Sequence, residues 1–296
     1  MKAYVVGNAA LDETLSIEDF PLPGASIFGA SLSRDLGGKG LNQAIAIARA
    51  GLDCVLVAAI GQDARGQEIA EGLAAEPLTT RLVRLDGVAT DASTILMAKA
   101  GENAVITTRE AASALTPDMA CAGLEGAAAG DLLVLQGNLT ADTTEALMRT
   151  ARAREMIIAM NPSPLQPYFA TLWPLVDIAF VNEGETEALG GVAAILEQGV
   201  SRVVLTLGGA GAALVTPSSY DTVPAVPCTV RDTTGAGDCF MATALASAGL
   251  RGGVLDIVAL GHAAEAAAHT VARPGTVAAF PTAEEFARIL GEIQPA

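Results

Sequence analysis

The strongest constraint on the fold of this chain is a repeated alternation. Short, almost wholly apolar runs are followed by longer stretches with helical spacing. The apolar runs stand at Ala3–Val6, Val55–Ile60, Leu132–Gln136, Met156–Met160, Ile178–Val181 and Val203–Leu207. The helical stretches, many of them alanine-rich, lie at Leu41–Ala50, Arg65–Ala74, Pro117–Ala128, Thr143–Arg152, Glu183–Leu189, Ala236–Ala248, Val254–Ala272 and Ala283–Leu290. A strand with no polar face needs cover on both sides, and strands joined through helices run parallel. The expected fold is therefore α/β, a mostly parallel central sheet between helical layers, with ligands bound beyond the C-terminal ends of the strands.

One region departs from the alternation. Ser93–Lys99 and Ala104–Thr108 read as a hairpin turned by Ala100-Gly101-Glu102-Asn103. Leu15–Ile17 and Ile27–Ser33, separated by Phe20-Pro21-Leu22-Pro23-Gly24, read as further short strands. Together they suggest a small antiparallel flap on a single domain spanning residues 1–296, built from about 12–35 and 91–109. The other reading makes them edge strands of the main sheet.

Composition narrows the function classes. Hydrophobic residues make up 51% of the chain and charged ones 17%, a globular balance. A formal charge of −16 without any Lys/Arg cluster argues against nucleic-acid binding. The four cysteines, Cys54, Cys121, Cys228 and Cys239, have no metal-like spacing and suit a reducing compartment. No signal-like segment or membrane-length apolar run is apparent, so the expectation is a cytoplasmic protein without a membrane partner.

The chemistry concentrates in glycine-rich turns. Asp232-Thr233-Thr234-Gly235-Ala236-Gly237-Asp238 runs into an apolar helical stretch. A helix N-terminus offers unpaired N–H groups and partial positive charge, which suits an anion. Asp238 there reads either as a cap or as a base taking the proton of a hydroxyl that attacks a phosphate held by Gly235, Ala236 and Gly237. A second turn, Gly37-Gly38-Lys39-Gly40-Leu41-Asn42, offers close backbone approach, a cation and a two-way amide, groups that suit sugar hydroxyls; a structural tight turn is the other reading.

Further candidates sit at strand ends. Asp12 either binds two hydroxyls or makes an Asx turn. Asn182-Glu183-Gly184-Glu185 either caps a helix or organises Mg2+ and its waters through Asn182 and Glu185. Thr206-Leu207-Gly208-Gly209-Ala210-Gly211 is either a nucleotide loop or a plain turn. Asp232 with the 270–279 segment can cage a monovalent cation. His262 and His269 read as packing or surface residues, with His262 near the nucleotide.

Taken in order, GGKGLNQA (37–44), NEGE (182–185), LTLGGAG (205–211) and DTTGAGD (232–238) resemble the ribokinase-like (PfkB) carbohydrate kinase family. The resemblance runs from Val5 to about Pro281 and implies an αβα sandwich with a small β-sheet lid over a sugar. It further implies that Asp238 is the catalytic base and that Gly235, Ala236 and Gly237 form the anion hole. Asp12, Gly37, Gly38, Lys39, Asn42, Asn138 and Asp238 fall at sugar-binding positions. Asn182, Thr206, Leu207, Gly208, Gly209, Ala210, Gly211 and Gly237 fall at nucleotide-binding ones. Asn182 and Glu185 match a motif linked indirectly to Mg2+. Asp232, with Thr234, Thr270, Arg273, Gly275 and Ala279, matches a potassium site. Two positions depart from the ribose-phosphorylating members: Ala10 replaces an Asn and Asn138 replaces a Glu, and both of those touch the sugar.

The expected activity is transfer of the γ-phosphate of ATP, with Mg2+ and K+, to a primary hydroxyl of a small ribose-like sugar. Rival acceptors are fructose, 2-keto-3-deoxygluconate and a nucleoside. A rival of another kind is a non-catalytic sugar or nucleotide sensor on the same scaffold, against which an intact base beside an anion hole argues. Exposed lid edges suggest a homodimer through the lid.

Overall fold

The computed structural model describes residues 1–99 and 102–291. Its strands are β1 (Ala3–Val6), β2 (Ala10–Ile17), β3 (Gly29–Gly37), β4 (Cys54–Gly61), β5 (Thr79–Leu85), β6 (Asp91–Ala98), β7 (Asn103–Thr107), β8 (Leu132–Leu135), β9 (Ile157–Met160), β10 (Ile178–Asn182), β11 (Arg202–Thr206), β12 (Ala212–Val215) and β13 (Tyr220–Val223). The helices are α1 (Lys39–Arg49), α2 (Ala64–Leu73), α3 (Glu110–Ala114), α4 (Pro117–Ala122), α5 (Ala141–Ala153), α6 (Glu183–Ala188), α7 (Val192–Glu197), α8 (Ala236–Leu250), α9 (Ile257–Val271) and α10 (Ala283–Leu290). A nine-stranded sheet has the order β13-β12-β11-β10-β9-β8-β1-β4-β5, and a four-stranded sheet the order β3-β2-β6-β7.

From β11 to β5 the large sheet is parallel throughout; β12 and β13 extend it antiparallel. Its apolar strands feed two cores. Ala3 and Val5 of β1 face one core with α1, α8 and α9, whereas Tyr4 and Val6 face the other with α5, Phe169 and Trp173. This period of two, apolar on both sides, is what an all-apolar strand in a covered sheet requires. Strands β5, β12 and β13 were not among the runs expected from sequence. The edge strands β5 and β13 carry Thr79-Thr80-Arg81 and Tyr220-Asp221-Thr222, largely exposed residues that give no apolar run.

The small sheet differs from the expected antiparallel flap in its centre. Strand β2 pairs β3 antiparallel and β6 pairs β7 antiparallel, but β2 and β6 run parallel, with Ala10 opposite Asp91. Each follows a strand of the parallel large sheet, β1 and β5, so both leave that sheet in the same direction. Both strands of the first pair are also longer than the segments read as Leu15–Ile17 and Ile27–Ser33. The turn at Ala100-Gly101 lies outside the described residues. Helix α9 starts at Ile257 rather than Val254, because the Asp256 side chain accepts from Ala259 N and caps it there. No helix among the described residues is long and apolar enough to cross a membrane.

Candidate active site

Helix α1 follows β3 and begins against the loop after β1. Gly38, with φ of 89° in the region that favours glycine, turns the chain so that Leu41 N donates to Asn8 O at 3.0 Å. A Cβ on Gly37 would run into the Asp12 carboxylate. The same start sends Asn42 and Gln43 towards α8. Asn42 Nδ2 donates to Asp238 Oδ2 at 3.0 Å, and Gln43 Nε2 donates to Asp238 Oδ1 at 2.9 Å. Gln136, just past β8, donates from Nε2 to Gln43 Oε1 at 2.7 Å. All four side chains are buried.

Asp238 lies in the first turn of α8. Gly235 caps that helix with φ of 73°, and a Cβ there would approach the Phe280 ring to 3.0 Å. Ala236 N is tied to Thr233 O at 3.2 Å. The N–H groups of Gly235, Gly237 and Asp238 reach no acceptor among the described residues. These are the orphan donors of a helix N-terminus, and they sit beside the buried carboxylate.

Two clefts meet at this turn. The larger, about 530 Å3, is lined by Thr206, Gly208, Gly209 and Gly211, by Ala225–Val230 residues, by Ala236, Gly237 and Phe240, and by α9. The smaller, about 100 Å3, is lined by Lys39, Asn161, Ser163, Asn182, Glu185 and Asp238 among others. Thr206 and Gly237 line both. Leu207 and Ala210 line neither; Leu207 packs on the core. Asn182 and Glu185 form a complete capping box on α6: Asn182 Oδ1 accepts from Glu185 N at 2.8 Å and Glu185 Oε2 from Asn182 N at 3.1 Å. The capping reading therefore holds, and the capped turn also lines the smaller cleft.

Asp12 is 6% exposed, and its Oδ2 accepts from Thr276 Oγ1 at 3.1 Å, while Oδ1 meets no donor. Burial pushes its carboxyl above the ordinary value; the hydroxyls of Ser93 and Thr276 oppose the shift, and the charges of Asp35 and Asp238 add to it. The 275–279 loop is pinned from several sides. Asp35 Oδ2 accepts from Thr276 N and Ala278 N at 3.1 and 2.9 Å, and Asp232 Oδ2 accepts from Gly275 N at 3.0 Å. Asp232 Oδ1 accepts from Thr234 N at 2.9 Å, which joins this loop to the α8 turn.

The carbonyls of Thr234, Arg273, Gly275 and Ala279 take no hydrogen bond from a described residue, whereas that of Thr270 accepts from Arg273 N. The Arg273 side chain is bound to Glu285, so its backbone alone serves the loop. Ala10 is buried opposite Gly37, and Asn138 is buried with Oδ1 unpartnered. His262 does not line the larger cleft: its Nδ1 lies 2.8 Å from Ser247 Oγ between α8 and α9, two turns along α8 from the cleft-lining Phe240.

Sequence reasoning missed Gln43, Gln136, Asp35, Thr276 and the Ala225–Val230 wall. Gln43 stood within the quoted glycine-rich motif and was legible there as a second amide one position on. The others come from segments far apart in the chain, with no local pattern to mark them.

A family model described as pfkB family carbohydrate kinase matches residues 3–283. A ribokinase of Haemophilus influenzae is 28% identical, with 97% of each chain covered. A bifunctional ribokinase/ribose-5-phosphate isomerase A of Fructilactobacillus sanfranciscensis is also 28% identical; the match covers 99% of this chain but spans 57% of that longer protein. Among solved structures, a ribokinase from Thermotoga maritima superposes with a TM-score of 0.87 at 27% identity, over 98% of this chain and 99% of that one. A ribokinase from Cryptococcus neoformans in complex with ADP gives 0.84 at 28% identity, over 97% and 99%.

Proposed function

The chain belongs to the pfkB family of carbohydrate kinases, and from that premise we propose that it transfers the γ-phosphate of ATP to a primary hydroxyl of a small, ribose-like sugar. The observation that carries this reading is the position of Asp238. Its buried carboxylate is held by two amides, borders the smaller cleft, and stands beside free N–H groups where that cleft meets the larger one. Asp238 takes the proton of the acceptor hydroxyl as its oxygen bonds to the γ-phosphorus. The bond from that phosphorus to the β–γ bridging oxygen breaks, and ADP leaves. The amides of Gly235 and Gly237 stabilise the charge that develops.

The larger cleft, walled by glycine and alanine, suits a flat base and a backbone-bound phosphate chain; the ADP complex of the Cryptococcus ribokinase supports that use. Asp12, Gly37, Gly38, Lys39, Asn42 and Asn138 supply the sugar end, and the small sheet excludes water from it. Glu185 Oε1, uncommitted in the capping box, suits an Mg2+ held through water, with Asn182 beside it. That ion would neutralise phosphate charge. The unpaired carbonyls of Thr234, Arg273, Gly275 and Ala279 suit K+, which would brace the loop behind the α8 turn. Four free cysteines suit a cytoplasmic setting, and the exposed apolar edges of the small sheet support a homodimer.

The test is ADP release from ATP-Mg2+ over a panel of pentoses, hexoses, keto acids and nucleosides, with and without potassium. One sugar should stand well above the rest. Asp238→Asn should lower kcat about 10²- to 10⁴-fold with sugar affinity retained. Silence over the whole panel with ATP still bound points to an acceptor outside the panel or to the sensor reading, failure to bind ATP rejects the kinase reading, and near-wild-type turnover by the variant rejects the base.

A further inference from the structure

We infer that Asp35, which lines neither cleft, is a positioning residue for the α8 turn: it fastens the 275–279 loop to the small sheet, and that loop sets the backbone at Gly235. The inference rests on the kinase reading for the role of the turn and adds to it a residue that acts from outside the site.

Asp35 stands directly opposite Asp12 in the β2–β3 pair, so two carboxylates share one face of the small sheet. Like charges placed that way repel. The 275–279 loop supplies donors to both. Thr276 Oγ1 donates to Asp12 Oδ2 at 3.1 Å, while Thr276 N and Ala278 N donate to Asp35 Oδ2 at 3.1 and 2.9 Å. Leu36 N donates to the other oxygen, Asp35 Oδ1, at 2.8 Å and fixes how the carboxylate is turned. Hydrogen bonds from backbone N–H groups to a carboxylate are charge-assisted and stronger than neutral ones.

The same loop is held from the α8 side. Gly275 has φ of 94°, in the region that favours glycine. Its N–H goes to Asp232 Oδ2 at 3.0 Å, whereas the next N–H along goes to Asp35. Two consecutive amides thus join a carboxylate of the small sheet to one on the approach to α8. Asp232 Oδ1 accepts from Thr234 N at 2.9 Å, one residue before Gly235. The loop also packs on that glycine: a Cβ there would stand 3.1 Å from Thr276 Cγ2 and 3.0 Å from the Phe280 ring. The N–H groups of Gly235, Gly237 and Asp238 reach no acceptor among the described residues, so their aim depends on what holds the backbone behind them.

Amide hydrogen exchange on the full, unliganded chain tests the tie, and calorimetry with Mg2+ and the ATP analogue AMP-PNP tests its consequence. In Asp35→Ala the amides of Thr276, Ala278 and also Thr234 should exchange at least about tenfold faster, and the analogue should bind about tenfold more weakly. Asp35→Asn, whose Oδ1 can still accept from both loop amides, should restore both readings. Faster exchange confined to Thr276 and Ala278 overturns the inference, since Asp35 would then be a local cap. Unchanged affinity for the analogue overturns it too. If Asp35→Ala does not fold, native-state exchange of the wild type decides: Thr234, Gly275, Thr276 and Ala278 opening with one denaturant dependence supports the tie, and independent opening overturns it. A wild type that binds no analogue, with exchange still transmitted to Thr234, upholds the tie and rejects the kinase reading instead.

Discussion

Both oxygens of Asp238 are engaged before any ligand arrives, one by Asn42 and one by Gln43. That leaves the orientation of the carboxylate in the hands of α1, and Gln136 holds Gln43 in turn. The replacement Gln136→Leu removes the donor to Gln43 Oε1 and leaves that oxygen buried and bare, a loss of about 1–3 kcal/mol. Gln43 is then free to rotate, and the carboxylate loses its fixed aim. The expected result is a kcat reduced by about tenfold, the factor that 1.4 kcal/mol represents, with the KM for ATP unchanged. Steady-state kinetics beside a thermal melt separates the cases: a lowered Tm with unaltered kcat would make Gln136 a packing residue only. At this scale sequence was informative where chemistry is local. The turn Gly235-Ala236-Gly237-Asp238 announces a helix N-terminus with a carboxylate on it. The relay does not announce itself, since Gln43 and Gln136 meet across 93 residues of chain.

Elements repeat that division. The largely apolar strands β1, β4, β8, β9, β10 and β11 were legible because burial on both faces confines their few polar residues to the strand ends. Strands β5 and β13 lie at the edges of the large sheet, where exposure relaxes the demand for apolar residues. The parallel pairing of β2 with β6 depends on where two distant strands leave the large sheet, which no local pattern states. One residue fixes the start of β6. Asp91 is fully buried, and its carboxylate accepts from Ala111 N and Ala112 N, which anchors the small sheet to α3. Burial nonetheless pushes its carboxyl up to about 6, against the pull of those backbone donors. A folded value above the unfolded one, about 3.9, means that the folded state holds the proton more tightly. The stabilisation from protonated Asp91 is full below the unfolded value and is lost as pH rises through 6. Relative to Asp91→Asn, which does not titrate, the wild type should lose up to about 3 kcal/mol between about pH 4 and pH 7. Urea unfolding of both proteins across that range measures the difference, and a flat difference would show that Asp91 ionises in the fold without penalty.

For the whole molecule, the question is what covers the small sheet. Its outer strands β3 and β7 have free edges, and apolar side chains crowd both: Leu22, Ile27, Phe28 and Leu32 near the first, Val105 and Ile106 on the second. Phe28 is wholly exposed and Leu22 is 77% exposed. Free strand edges lined with large apolar groups invite pairing with another chain, and a second copy offers the matching edge. Covering them would also stiffen β3, whose Asp35 grips the 275–279 loop and whose Gly37 abuts Asp12. The wild-type protein is therefore expected to run as a dimer in light scattering coupled to gel filtration. Phe28→Asp combined with Leu32→Asp should yield a monomer, because an interface of standard size, about 1,600 Å2, does not tolerate two unpaired charges at its centre. The monomer should keep its fold by circular dichroism and show a raised KM for the sugar with the KM for ATP little changed, since the loosened strand ends at Gly37, which abuts Asp12 of the proposed sugar end, and lines neither cleft. A wild type that is monomeric at assay concentration would reject the dimer, and a doubly substituted protein that remains a dimer would place the contact elsewhere and leave these side chains bare.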